Sequence, residues 1–189
     1  MWMALTIAAV ALTGARSTGL PFASGQAAGS GSTVTLASTI EPWWGMIQQS
    51  FVSAAEAMPA HKYDFAPKDG AFTNARTFAQ QVKHVACANV AFFNEIEGKT
   101  PPDACETGGP DPAHTKDELV AYLRSSFEYG STVLRRLTPA NALDPADGRY
   151  GGPSTRLGLT TLAIWHASDH YGQIVMYLRM NGVVPPASR

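Results

Sequence analysis

Hydrophobic positions along this chain recur at three- and four-residue steps in four long stretches, the spacing that gathers apolar side chains on one face of an α-helix. In the first, Trp43, Trp44, Ile47, Phe51, Ala54, Ala55 and Met58 form the stripe, Ser38-Thr39-Ile40-Glu41 reads as a capping box, and Pro59 is the stop. A helix from about Ile40 to Met58 is predicted. Phe78, Val82, Val85, Asn89, Phe92 and Ile96 predict a second from about Asn74 to Glu97, ended by Gly98 and Pro101. Thr115-Lys116-Asp117-Glu118 caps a third, which carries Leu119, Leu123, Phe127 and Leu134 and runs up to Pro139. The fourth is predicted from about Ser154 to Asn181, with Leu159, Leu162, Trp165, His166, Asp169, His170, Gln173, Ile174 and Tyr177 inward and Gly182 as the stop.

Strand patterns are nearly absent, and the connections between these stretches are long and rich in proline and glycine. The combination predicts an all-α fold, a four-helix bundle with long irregular connections. No internal repeat is visible.

Residues 1–37 belong to a different compositional class, since Arg16 is the only charged residue in the first forty. An apolar run from Ile7 to Leu12 is followed by Thr13-Gly14-Ala15, a small-x-small cleavage pattern, with Gly25-Gln26-Ala27 as a later choice. Ser17 to Ser32 has linker composition. The stretch reads as a signal peptide, with a disordered leader and linker as the alternative, because no Lys or Arg precedes the apolar run. An exported protein, periplasmic or extracellular, is the first expectation and a cytoplasmic one the second. The run is far short of the roughly 20 residues that cross a bilayer, so stable membrane insertion of the mature chain is not expected.

Composition narrows the function classes. With 189 residues and 45% hydrophobic content, the chain can fill one core, which excludes disorder throughout. Fourteen Lys and Arg against fifteen Asp and Glu give a net charge of -1, without the basic excess that neutralises phosphates, so no nucleic-acid partner is expected. A small-molecule substrate is the expected partner, and a homodimer is a further candidate.

The apolar stripe of the fourth helix is interrupted by His166 and His170, whose four-residue spacing puts both imidazoles on one face and lets them chelate one ion. That spacing alone is equally met by two hydrogen-bonded core histidines. His84, midway along the second helix among Gln81, Ala88 and Ala91, offers a third imidazole with small or polar neighbours that leave space for an ion. Ser168 and Asp169 between the histidines spell a hydrolase triad only in letters, because residues one or two apart on a helix point in different directions. Asp169 remains a candidate catalytic base or a partner that orients an imidazole, and Gln173 extends the same face by one turn. Cys87, three residues after His84, could close the site as a thiolate or instead pair with Cys105 in a disulfide, the latter if the protein is exported. His61 and His114 fall in loop positions and are expected in solvent.

Ala54-Ala55-Glu56-Ala57-Met58-Pro59, Tyr63-Asp64-Phe65-Ala66-Pro67 and Arg76-Thr77-Phe78 leading to His84-Val85-Ala86 resemble the first half of the DinB-like superfamily, the DNA-damage-inducible family of four-helix-bundle proteins. Trp165-His166, His170-Tyr171-Gly172-Gln173 and Tyr177-Leu178-Arg179 resemble its last helix, and the likeness covers residues 38–186. The resemblance implies a metal-dependent enzyme whose ligands fall on His84, His166 and His170. Characterised members of the family include thiol S-transferases that use bacillithiol or mycothiol, while many have no known reaction. Three neutral imidazoles leave a fourth position open, the arrangement of a catalytic site, and the ion there would activate a thiol or a water. Zinc leads for such donors, with nickel, manganese or iron behind it. The implied reactions are thiol transfer or metal-assisted hydrolysis, and export, which separates the protein from cytosolic thiols, favours hydrolysis. The alternative is a non-catalytic metal-binding or stress-response module.

Overall fold

The computed structural model describes residues 33–100, 114–147 and 154–189. Among them are four long helices: α1 (Leu36–Ala57), α2 (Phe78–Ile96), α3 (Lys116–Leu134) and α4 (Arg156–Met180). The start of α1 lies one turn before its predicted position. Ser38 accepts from the Thr35 amide at 2.9 Å through its hydroxyl while the Thr35 hydroxyl accepts from the Ser38 amide at 3.0 Å, a reciprocal cap that satisfies two donors at the helix start. Pro42 consequently lies inside the helix, where it forfeits the amide that would bond the Ser38 carbonyl. Residues 1–32 of the expected leader lie outside the described residues. Thr77 with Gln80 and Thr115 with Glu118 form the same kind of reciprocal cap on α2 and α3.

Contacts between the helices fix their directions. Phe51 packs on Tyr171 and, further along both chain segments, Lys62 reaches the Asn181 carbonyl, so α1 and α4 run parallel. Asn89 bonds Ser126 and, further along, Glu97 pairs with Arg136, so α2 and α3 are parallel too. Trp44 on Phe127 and Lys116 on the Glu56 carbonyl make α1 and α3 antiparallel, and Gln81 on His170 with Arg76 on Tyr177 does the same for α2 and α4. The order is therefore up, down, down, up. Because α2 and α3 are parallel, their connection has to return the length of a helix, about 28 Å for a helix of this size at about 1.5 Å per residue, which accounts for the long loop the sequence places there.

Three aromatic rings pack together where α1, α2 and α3 meet. Trp44, 1% exposed, lies 5.0 Å from the Phe93 ring and 4.7 Å from Phe127, and its indole N–H donates to the Phe127 carbonyl at 3.0 Å. Gly130 makes this approach feasible: a Cβ there would sit 2.5 Å from Phe93 and 2.6 Å from Trp44. Two tryptophans expected in the core are instead exposed, Trp43 at 60% and Trp165 at 62%. Trp43 is about 100° around the helix from Trp44, which takes the position facing Gly130, and Trp165 is two residues from both buried Ala163 and Ala167, nearly opposite the inward face. A two-residue antiparallel ladder, β1 (Pro145–Ala146) with β2 (Ser154–Thr155), precedes α4, and Thr155 then caps that helix by accepting from the Gly158 amide. No described helix is long and apolar enough to cross a membrane.

Candidate metal centre

The antiparallel register of α2 and α4 brings His84 opposite the turn that separates His166 from His170. Ring centroids are 5.0 Å apart for His84 and His166, 4.7 Å for His84 and His170, and 4.5 Å for His166 and His170. One ligating atom from each lies within 4.8 Å of the others, close enough to hold one ion. The Nε2 atoms of His84 and His166 face each other at 3.1 Å. Tetrahedral zinc with bonds near ~2.05 Å sets its donors about 3.3 Å apart, so this pair fits such an ion with little adjustment.

Electrostatics favour neutral rings. Burial, followed by the Arg76 guanidinium and His170, lowers the pKa of His84 from 6.5 to about 4. Burial with the two neighbouring imidazoles and Arg76 lowers His166 to about 3. His170 is lowered mainly by burial, partly opposed by the Asp169 carboxylate. Rings that resist protonation keep lone pairs available, and two facing lone pairs at this distance repel unless a cation or a proton lies between them.

A chain of amides sets which His170 nitrogen carries its lone pair. Gln173 donates from Nε2 to the Asp169 carboxylate at 2.9 Å, Gln81 donates from Nε2 to Gln173 Oε1 at 2.8 Å, and His170 Nδ1 meets Gln81 Oε1 at 2.8 Å. A carboxylate only accepts, so Asp169 orients the Gln173 amide, Gln173 orients Gln81, and the Gln81 oxygen requires a proton on His170 Nδ1. The His170 Nε2 lone pair is thereby left for an ion. His166 lacks this support: its Nδ1 is buried with no hydrogen-bond partner among the described residues.

Asp169 itself is exposed and acts at the far end of this chain; it makes no hydrogen bond to an imidazole among the described residues. Ser168 is exposed and donates to the Ile164 carbonyl of its own helix at 2.8 Å, which removes it from any triad. Cys87, considered from sequence as a fourth ligand, is 1% exposed and disulfide-bonded, so its sulfur is not a thiolate donor. Its expected partner, Cys105, lies outside the described residues. His61 and His114 are exposed, away from the cluster. Gln81, read from sequence only as a small or polar neighbour of His84, is 3% exposed and is the direct partner of His170. The available signal was symmetric: Gln81 sits three residues before the α2 histidine and Gln173 three residues after the second α4 histidine, so antiparallel helices bring the amides together.

The fold and this cluster define the class of an up-down-down-up helical bundle with three convergent imidazoles. The family model of the DinB superfamily matches residues 46–174, and the chain belongs to that superfamily. Among solved structures, a DinB-like protein from Bacillus cereus superposes with a TM-score of 0.64 at 15% identity, covering 80% of this chain and 96% of the other. A DinB-like protein from Bacillus subtilis gives a TM-score of 0.52 at 23% identity, covering 72% and 92%. These two likenesses show the shared fold. A search of curated proteins returns no match.

Proposed function

We propose that this protein is a metal-dependent enzyme that holds one divalent ion, zinc first among the candidates, on His84, His166 and His170 and transforms a small molecule. The observation that carries the reading is the convergence of three imidazoles whose ligating atoms lie within 4.8 Å, with burial holding two of them neutral down to about pH 4 and 3. A divalent ion on three imidazoles supplies Lewis acidity at an open position, where it lowers the pKa of a bound water or thiol. The chain's own part is to hold the rings: Gln81 fixes the His170 tautomer, and Gln173 and Asp169 hold Gln81. The disulfide-bonded Cys87 supports an oxidising compartment, hence export, and with it hydrolysis ahead of thiol transfer. The test uses protein purified without a polyhistidine tag, stripped and then reloaded with zinc, against panels of ester and amide hydrolysis and of thiol conjugation. Turnover should require reloading and be lost in His84→Ala. Full zinc occupancy with no turnover on either panel would instead favour the non-catalytic metal-binding module.

A further inference from the structure

A groove of about 1120 Å³ is lined by the start of α2, the last turns of α4 and residues 67–75. Its lining includes Gln81 and Gln173, the two amides that support His170, so these amides stand between the groove and the candidate metal centre. Arg76 and Lys83 line the groove, and none of its described lining residues is a carboxylate. The same groove is lined by Phe72, Met176 and Met180, exposed at 46%, 56% and 49% in a protein that buries most of its large apolar side chains.

Arg76 is built as an anchor. The buried Tyr177 donates its hydroxyl to the Arg76 carbonyl at 3.0 Å, and the adjacent Thr77 caps α2, so the backbone is held at both sides. Its guanidinium makes no hydrogen bond or ion pair among the described residues, yet its charge reaches all three imidazoles and lowers their proton affinity. A fixed backbone, an exposed guanidinium, described lining without a carboxylate and exposed apolar side chains in the same groove together suit one ligand chemistry. We propose that this groove is the substrate site and takes a small amphipathic anion, with Arg76 binding its carboxylate or phosphate and Phe72, Met176 and Met180 covering its apolar body. As a substrate site it rests on the metal-centre reading; as an anion site it stands without it.

The test is calorimetric titration of the full chain, zinc-loaded and metal-stripped, with octanoate, octyl phosphate and octylamine, alongside zinc content. At least one anion should bind both forms more tightly than the amine, and the tighter of the two identifies the headgroup. Arg76→Ala should weaken that binding about tenfold or more and leave zinc content unchanged, while Arg76→Lys keeps part of the affinity. Equal anion affinity in Arg76→Ala, equally tight octylamine, or binding that disappears on stripping zinc would overturn the assignment. Arg76-dependent anion binding in a protein that takes up no zinc would sustain the groove while removing the metal reading.

Discussion

Two antiparallel seams of the same bundle are built from opposite materials. Between α1 and α3, Trp44, Phe51, Leu123 and Phe127 are all buried, and the one polar contact of the indole is satisfied by a backbone carbonyl. Between α2 and α4 lie Gln81, His84, His166, His170 and Gln173: His170, Gln81 and Gln173 form a hydrogen-bonded chain that ends at Asp169, and His84 and His166 face each other as a separate pair. The first seam supplies stability through apolar contact, whereas the second gives up apolar burial and retains neutral imidazoles with a hydrogen bond only where one ring must be oriented.

The comparison breaks most visibly at Trp44. Trp44→Ala should cost about 3–5 kcal/mol in chemical denaturation, since it removes a fully buried indole from a site closed by Gly130, Phe93 and Phe127. The fraction still folded should keep its metal content, because the site lies on the other seam. Gln81→Ala should act the other way round, lowering zinc affinity about 10- to 100-fold by releasing the His170 tautomer while moving the denaturation midpoint far less. Competition with a chromophoric chelator reads the first quantity and urea titration the second.

A smaller effect is expected from pH on the metal-stripped protein. His84 and His166 have folded-state pKa values near 4 and 3, below the ordinary 6.5, so the unfolded chain binds more protons between those values. Stability should be fully present above about pH 6.5 and fall as pH drops through 6 and 5, by less than about 1.4 kcal/mol per unit for each ring because both keep some solvent contact. The slope should flatten in His166→Ala. An unchanged slope in that variant would place the titrating groups elsewhere.

The two seams were unequally legible in the sequence. Four helices followed from apolar periodicity, and the stops at Met58 and Asn181 match helix C-caps because proline and glycine there act locally. The start of α1 was displaced because its cap uses Ser38 as the third helical residue, a weaker signal than the Glu in Thr115-Lys116-Asp117-Glu118. Trp43 and Trp165 fall on the apolar stripes by their spacing, yet Trp43 lies about 100° from buried Trp44 and Trp165 nearly opposite buried Ala163 and Ala167, which turns each to solvent. Histidine type and spacing marked the ligating candidates. The support of His170 by Gln81 was marked only by the symmetric placement of Gln81 and Gln173 about the histidines, which becomes a contact once the antiparallel register of α2 and α4 is known, and the groove beside Arg76 was not legible, since it arises from that register.

The central claim is that the polar seam exists to hold an ion. Its most direct test is elemental analysis of metal bound per chain in protein made without a polyhistidine tag, for the wild type and for His84→Ala, His166→Ala and His170→Ala. The account predicts one tightly held divalent ion per wild-type chain and its loss in each variant, with helical circular dichroism retained because the apolar seam carries the fold. Full metal content in any of the three variants, or a wild type that retains none, would contradict it.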